Sequence, residues 1–278
     1  LQQLNLLLKL FVAGAGLMLL GFAMANIGII GVGLSLSVVL HYVPWILAIT
    51  PGILISYYIY WRDRHQKEPH TRLIFAFIMG ALATYPAIKM EEYGIYVLEI
   101  VPSEDLWQTF LFSFFVIGLA EEGAKLWFLR VFIVPQKDFN EPLDGIVYSI
   151  MISMGFATLE NIIYIIYREG GATVGLMRMF TAVPAHAGFA VIMGYFVGLS
   201  RFATTKRHAV WYLAWALILP LTVHGLYDFF IFQKVSHYLV LITFSTLIIS
   251  LLMGRKLIDR HETHSLSTMN DNINDNQN

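Results

Sequence analysis

"QTFLFSFFVIGLAEEGAKLWFLRVFIV", residues 108 to 134, is apolar enough along most of its length to cross a bilayer, yet it carries Glu121, Glu122 and Lys125 near its middle. A span of about 20 apolar residues fits the hydrocarbon core. A charged side chain near the centre of such a helix costs about 2.5 to 3.5 kcal/mol on insertion scales, so each of these groups needs a partner or a chemical purpose. The reading of this stretch as a membrane span with built-in charges decides the fold class.

The rest of the 278-residue chain supports it. Hydrophobic residues make up 57% and charged residues 13%, with a mean hydropathy of +0.65, a profile far from that of a soluble domain. Apolar windows fall near residues 6 to 25, 42 to 61, 71 to 88, 108 to 134, 144 to 167, 177 to 200, 209 to 232 and 238 to 254. They predict an all-α, polytopic transmembrane helical bundle of about eight spans. Residues 26 to 40 can extend the first span, re-enter the membrane or join the second. The apolar run from Leu6 to Leu40 is too long for a signal-peptide core and is expected to be a mature span. The expected organisation is an N-terminal hydrophobic segment over residues 1 to 41, a membrane-embedded domain over 42 to 254, and a polar, disordered tail over 255 to 278.

Placing the N-terminus in the cytoplasm puts every Lys and Arg inside except Lys89, Arg168, Arg178 and Lys234, and Lys125 within the membrane. Positive loops resist translocation, so this is the expected orientation, with both termini cytoplasmic in a multi-pass protein of the cell membrane. A net charge of −1 with the few charges mainly in short loops excludes nucleic acid as a partner. Cysteine is absent, which removes disulfides, thiolate nucleophiles and cysteine-bound metals.

Four of the last five spans carry ionisable groups: Glu121, Glu122 and Lys125 in "EEGAK", Glu160 with Asn161 in "GFATLEN", His186 in "PAHAGFA", and His224 with Asp228 in "HGLYDFF". Positions four apart share a helix face, which pairs Glu121 with Lys125 and His224 with Asp228. Glu122 lies about 100° round from Glu121, so the two should not share one pocket wall equally. Glu160, His186 and His224 fall roughly 10 to 14 Å from the outer ends of their spans, and Glu121 roughly 20 Å along its own. Each pair read alone is also explained by an ion pair or interhelical hydrogen bond that holds the bundle together. Convergence of so many polar groups on one layer points instead to a shared site. By contrast His41, Glu91 with Glu92, and Glu99 read as solvated interface or loop groups. "HETH", residues 261 to 264, lacks the spacing of a zinc-protease helix.

Carboxylates and imidazoles around a confined water are the parts of a hydrolase. One Glu removes a proton from water while a His or a metal stabilises the developing oxyanion. The candidate catalytic residues are Glu121, Glu122, Glu160, His186 and His224, supported by Lys125, Asn161 and Asp228. Zinc is an open choice of cofactor, with Glu160, His186, His224 and Glu122 as candidate ligands. The same groups suit a proton-coupled or metal-ion transporter, and a non-catalytic scaffold is a third reading.

In that order, on successive hydrophobic helices, these four motifs resemble the PrsW family of bacterial intramembrane proteases, related to the CAAX-protease and bacteriocin-processing superfamily. "YWRDRHQKEPHTRLIFAFIMGA", residues 60 to 81, is similar to the family's early signature through Asp63, Glu68 and Pro69, and "LDGIVYSIMISMGFATLEN", residues 143 to 161, through Asp144, Gly145 and Tyr148. The resemblance covers roughly residues 58 to 230. It implies proteolysis of a membrane-anchored protein, in the best-known case an anti-sigma factor. It assigns Glu121 and Glu122 to the family's paired glutamates, Glu160 to the glutamate of its second motif, and His186 and His224 to its motif histidines. Both a metalloprotease and a glutamate-dependent, CAAX-type processing protease remain open.

Overall fold

The computed structural model describes residues 36–63, 66–167 and 171–275, and no strand occurs among them. The chain divides into two compact units, Leu1–Ile46 and Leu47–Asn278, and the site discussed below lies wholly within the second. The described helices are α1 (Leu36–Arg62), α2 (His70–Tyr96), α3 (Leu106–Leu111), α4 (Leu119–Phe128), α5 (Pro142–Tyr167), α6 (Gly171–Phe180), α7 (Ala182–Arg201), α8 (Lys206–Phe232) and α9 (Val240–Asp275).

Among the described residues six stretches are long and apolar enough to cross a membrane: Tyr42–Arg62, His70–Tyr96, Pro142–Tyr167, Thr173–Arg201, Lys206–Phe232 and Val240–Arg260. They match six of the eight expected windows. The window over residues 6 to 25 lies outside the described residues. The window over 108 to 134 is helical to Ile133, built of successive α and π segments and not of one regular α-helix. Its longest α segment, α4, has 10 residues, about 15 Å or half of the hydrocarbon core. Two π-helical segments, Phe112–Gly118 and Leu129–Ile133, bracket it. In each, an amide reaches back five residues, from Leu119 to Phe114 and from Val134 to Leu129 at 3.0 Å. The extra residue in such a turn rotates everything beyond it, and these turns are frequent at functional sites.

Helices α5 and α7 form the centre. Of their spans 61% and 78% are buried, against 22% to 33% for the other four, so hydrophobic packing in the middle leaves α1, α2, α8 and α9 with faces for lipid. Close approach depends on small residues. A Cβ on Gly155 of α5 would enter the Phe77 carbonyl of α2, and one on Gly80 of α2 would enter the Ile152 carbonyl of α5. Such backbone-to-backbone crossings are how membrane helices gain dispersion contacts without a hydrophobic driving force.

At the other end of α5 from Glu160, about 24 Å along the helix from Asp144, a second acidic group ties the loop after α1 to the start of α5. Tyr148 Oη donates to Glu68 Oε2. Asp144 Oδ2 accepts the amides of Asn140 and Glu141 at 2.7 and 2.8 Å, closing the N-terminus of α5. Asp63 is 2% exposed. Burial, reinforced by Glu141 and Glu68, pushes its carboxyl up to about 6. Burial also raises Glu68, against the lowering effect of the Tyr148 hydroxyl. The α9 backbone is helical to Asp275. Arg62 Nη2 bonds Asp259 Oδ1, in the middle of α9, at 2.6 Å.

Candidate active site

Helix α4 is short because its flanking π-turns leave it only ten residues, and those residues deliver all three charges of "EEGAK" to the interior. Glu121, Glu122 and Lys125 are 5%, 1% and 1% exposed. Gly118, just before α4, lies against the backbone of Leu221 and Gly225, so α8 passes close enough to bring His224 alongside.

Lys125 is the hub. Its Nζ donates to Glu121 Oε2 at 3.0 Å and to Glu122 Oε1 at 2.8 Å, lies 3.1 Å from His186 Nδ1, and sits 4.1 Å above the Phe156 ring. The expected partner of Lys125 was Glu121 alone. Both carboxylates instead turn toward it, because an ammonium with three donors satisfies more than one acceptor in a site with no bulk water. The two glutamates therefore share one wall, contrary to the 100° argument: their long side chains converge on a single cation.

An ammonium only donates, so His186 Nδ1 accepts and its Nε2 carries the proton. That Nε2 lies 3.0 Å from Glu160 Oε2. His224 Nδ1 lies 2.9 Å from Glu122 Oε1, and its Nε2 lies 3.4 Å from Asp228 Oδ2. The two imidazoles meet edge to face, with centroids 5.4 Å apart, and His224 stacks on Phe189 at 4.8 Å. Ser153 Oγ bonds the His186 carbonyl at 3.0 Å and pins α7 to α5 at this level.

Glu121, Glu122, His186 and His224 each present a donor atom within 4.8 Å of the others, and all four are buried. Two carboxylates and two imidazoles are a ligand set that zinc accepts, and such sites hold the far nitrogen of each histidine with a carboxylate, as Glu160 and Asp228 do here. The residue types are those of a zinc site, but Glu121 Oε2, Glu122 Oε1 and His186 Nδ1 already face the Lys125 ammonium, so a metal would share this centre only with Lys125 moved aside. The set differs from the candidate ligands read from sequence. Glu121 belongs to it, and Glu160 stands behind His186, because its Oε2 is already shared between His186 and Arg178. Asn161 does not join the four either: its Oδ1 accepts from Arg178 Nε at 2.6 Å.

Two residues of this region were missed. Arg178, read from sequence as an outer loop charge, is drawn inward on α6, with Nη2 2.7 Å from Glu160 Oε2 and its guanidinium 4.0 Å over the Tyr164 ring. Glu91, read as a solvated interface group, is half-buried on α2 and within electrostatic reach of Glu121, Glu160, Asp228 and His224. Neither has a local sequence signal. Each lies near the end of its apolar window, where a charge is ordinarily solvated.

A buried set of carboxylates and imidazoles inside a bundle of membrane-spanning helices defines a class, either an intramembrane hydrolase or an ion-conducting protein. The comparisons decide between them. Residues 68–253 match the family described as PrsW family intramembrane metalloprotease. "Protease PrsW" of Clostridioides difficile (strain 630) is 32% identical over 223 residues, covering 80% of this chain and 92% of that one. The proteins of the same name from Geobacillus kaustophilus (strain HTA426) and Bacillus subtilis (strain 168) are 35% and 36% identical, over 67% and 65% of this chain and 78% and 79% of theirs. No solved structure matches. The chain belongs to the PrsW family. It is a multi-pass membrane protease, a hydrolase acting on a membrane protein in the bilayer.

Proposed function

We propose that Glu121 is the general base of peptide-bond hydrolysis. The observation that carries this is the asymmetry of the pair. Among the described residues, Glu122 Oε1 is held twice, by Lys125 and by His224, whereas Glu121 is held once, at Oε2 by Lys125, and is the more exposed of the two. A base must reorient to meet water, and the singly held carboxylate does so at lower cost. Glu121 takes a proton from water as its oxygen attacks the carbonyl carbon of the substrate. Lys125 fixes the pair and, as the nearest fixed positive charge, stabilises the oxyanion. His224, with both nitrogens facing carboxylates, is placed to hand a proton to the departing amine as the C–N bond breaks, leaving one new carboxylate and one new amine. Asp228 orients that ring, and Glu160 orients His186.

When bound among Glu121, Glu122, His186 and His224, zinc would supply Lewis-acid polarisation of the carbonyl and a more acidic water. Among the described residues, the four carboxylates Glu121, Glu122, Glu160 and Asp228 contact two permanently charged cations, Lys125 and Arg178. That surplus of negative charge at low dielectric favours a further cation or a proton in the site.

The finer topology belongs to this reading: about eight spans, with the segment over 106–133 and the window over 6 to 25 added to the six, and both termini cytoplasmic. The membrane-embedded domain over 42 to 254 contains the whole site. The polar layer then sits toward the outer half of the bilayer, which suits cleavage of a single-span protein such as an anti-sigma factor. Purified protein is tested in liposomes with such a tagged substrate. Glu121→Gln should lower the cleavage rate about 10²- to 10⁴-fold, the worth of a general base, with folding retained. Cleavage by Glu121→Gln at the wild-type rate removes it as the base.

A further inference from the structure

Two groups of one membrane span hold the same carboxylate oxygen. Glu160 Oε2 on α5 lies 2.7 Å from Arg178 Nη2 and 3.0 Å from His186 Nε2. Arg178 and His186 are eight residues apart, about 12 Å in a straight helix. Both nonetheless reach one atom of Glu160. Thr181, with φ −119° and ψ −71°, marks a local distortion where α6 meets α7, across which the helical bonding continues, from the Thr181 amide to the Met177 carbonyl at 3.1 Å and from the Ala185 amide to the Thr181 carbonyl at 3.0 Å. Arg178 spends the rest of its guanidinium on the same face of α5: Nε donates to Asn161 Oδ1 at 2.6 Å, and the plane lies 4.0 Å over Tyr164. Asn161 in turn places its amide nitrogen 3.5 Å from the Ala48 carbonyl of α1. Arg178 thus pairs by charge with Glu160, donates through Nε to Asn161 and packs over Tyr164 one turn on, a combination that a planar guanidinium makes and a point charge cannot.

We propose that Arg178 is a positioning residue of the protease: by clamping Glu160 it fixes the carboxylate that orients the His186 ring, and so sets the direction in which His186 Nδ1 faces Lys125 and the glutamate pair. This rests on the reading of His186 as part of the active site. The chemistry is directional. Glu160 has one oxygen in the contact with His186, and without Arg178 a carboxylate on a flexible stem is free to rotate that oxygen away. The ring then loses the partner that selects its Nε2–H form, and Nδ1 is no longer held as the acceptor for Lys125. An Arg that merely glued α6 to α5 would not need its partner to be the carboxylate bonded to the histidine.

The test uses the full chain in liposomes with 15N-labelled histidine and a tagged single-span membrane protein as substrate. Wild type should show a hydrogen-bonded Nε2–H signal for His186, assigned by its loss in His186→Ala. In Arg178→Ala that signal should vanish and kcat should fall about 10- to 100-fold, the usual effect of removing an outer partner, with KM unchanged. Arg178→Lys, which keeps the charge but lacks the fork, should recover part of both. In a Glu160→Gln background Arg178→Ala should cause no further loss. If Arg178→Ala does not fold, Arg178→Gln decides in the same way. A His186 signal that survives in these variants, or a loss of kcat that adds fully to that of Glu160→Gln, overturns the proposal. The signal is read without substrate, so a failure of the Glu121 reading, seen as undiminished cleavage by Glu121→Gln, is distinguished from a failure of this one.

Discussion

Replacing Lys125 by Ala tests how the buried charges are balanced. Lys125 is 1% exposed, and the substitution strips Glu121 and Glu122 of contacts at 3.0 and 2.8 Å and His186 of one at 3.1 Å. It also removes the cation over Phe156 at 4.1 Å. Summing these contacts overstates the loss, because the lysine carries its own desolvation penalty. The better measure is the penalty for stranding buried carboxylates without their cation, about 3 to 5 kcal/mol. For a chain of this size that is roughly 6 to 15 °C in the midpoint of thermal unfolding, read by intrinsic fluorescence in detergent micelles. The sign can be checked by adding Glu121→Gln and Glu122→Gln to Lys125→Ala. Neutralising the stranded charges should return most of the stability and none of the activity. A single Lys125→Ala variant within about 1 kcal/mol of wild type would refute the reasoning, since that is the scale of a solvent-screened surface pair.

Asp63→Asn acts through pH. The folded pKa of Asp63 is raised from 3.8 to about 6, so the folded state holds a proton that the unfolded chain releases. Stability is fully present below the unfolded value and falls as pH rises through the folded one. The shift corresponds to at most about 3 kcal/mol and, screened at the edge of the bundle, about 1 to 2 kcal/mol. The Asn variant should therefore unfold at a higher temperature than wild type at pH 8 and differ little at pH 4; equal gains at both would show that Asp63 ionisation is not the cause. Gly155→Leu should prevent the α2–α5 crossing, because even a Cβ there meets the Phe77 carbonyl backbone. Loss of the monodisperse peak in size-exclusion chromatography is expected, and a well-behaved variant would contradict the close crossing.

The class of fold and most of the site were legible because lipid makes polar residues conspicuous. Glu160, His186, His224 and Asp228 each interrupt an apolar window, and the convergence of their helices follows from depth alone. What was not legible follows from long side chains and irregular helix. The π-turns on either side of α4 have no residue signature, and they divide the one window that contains the glutamate pair. Lys125 reaching three partners, and Arg178 and Glu91 lying near the polar layer, depend on side-chain direction rather than on position along a span. Asp144 and Tyr148 carried the family resemblance, but their role is to close the start of α5 and bond Glu68, far from the glutamates. Family membership, not geometry, separates a protease from a transporter here, since both need buried carboxylates and histidines.

The central claim is that water, activated at Glu121, cleaves the substrate chain at this buried site. The most direct measurement is cleavage of a tagged single-span substrate in liposomes prepared in 18O-labelled water, with mass spectrometry of the N-terminal product. Wild type should place a single 18O in the new C-terminal carboxylate, and Glu121→Gln should give little or no product. Product without the label, or labelled product formed by Glu121→Gln as fast as by wild type, would contradict the account.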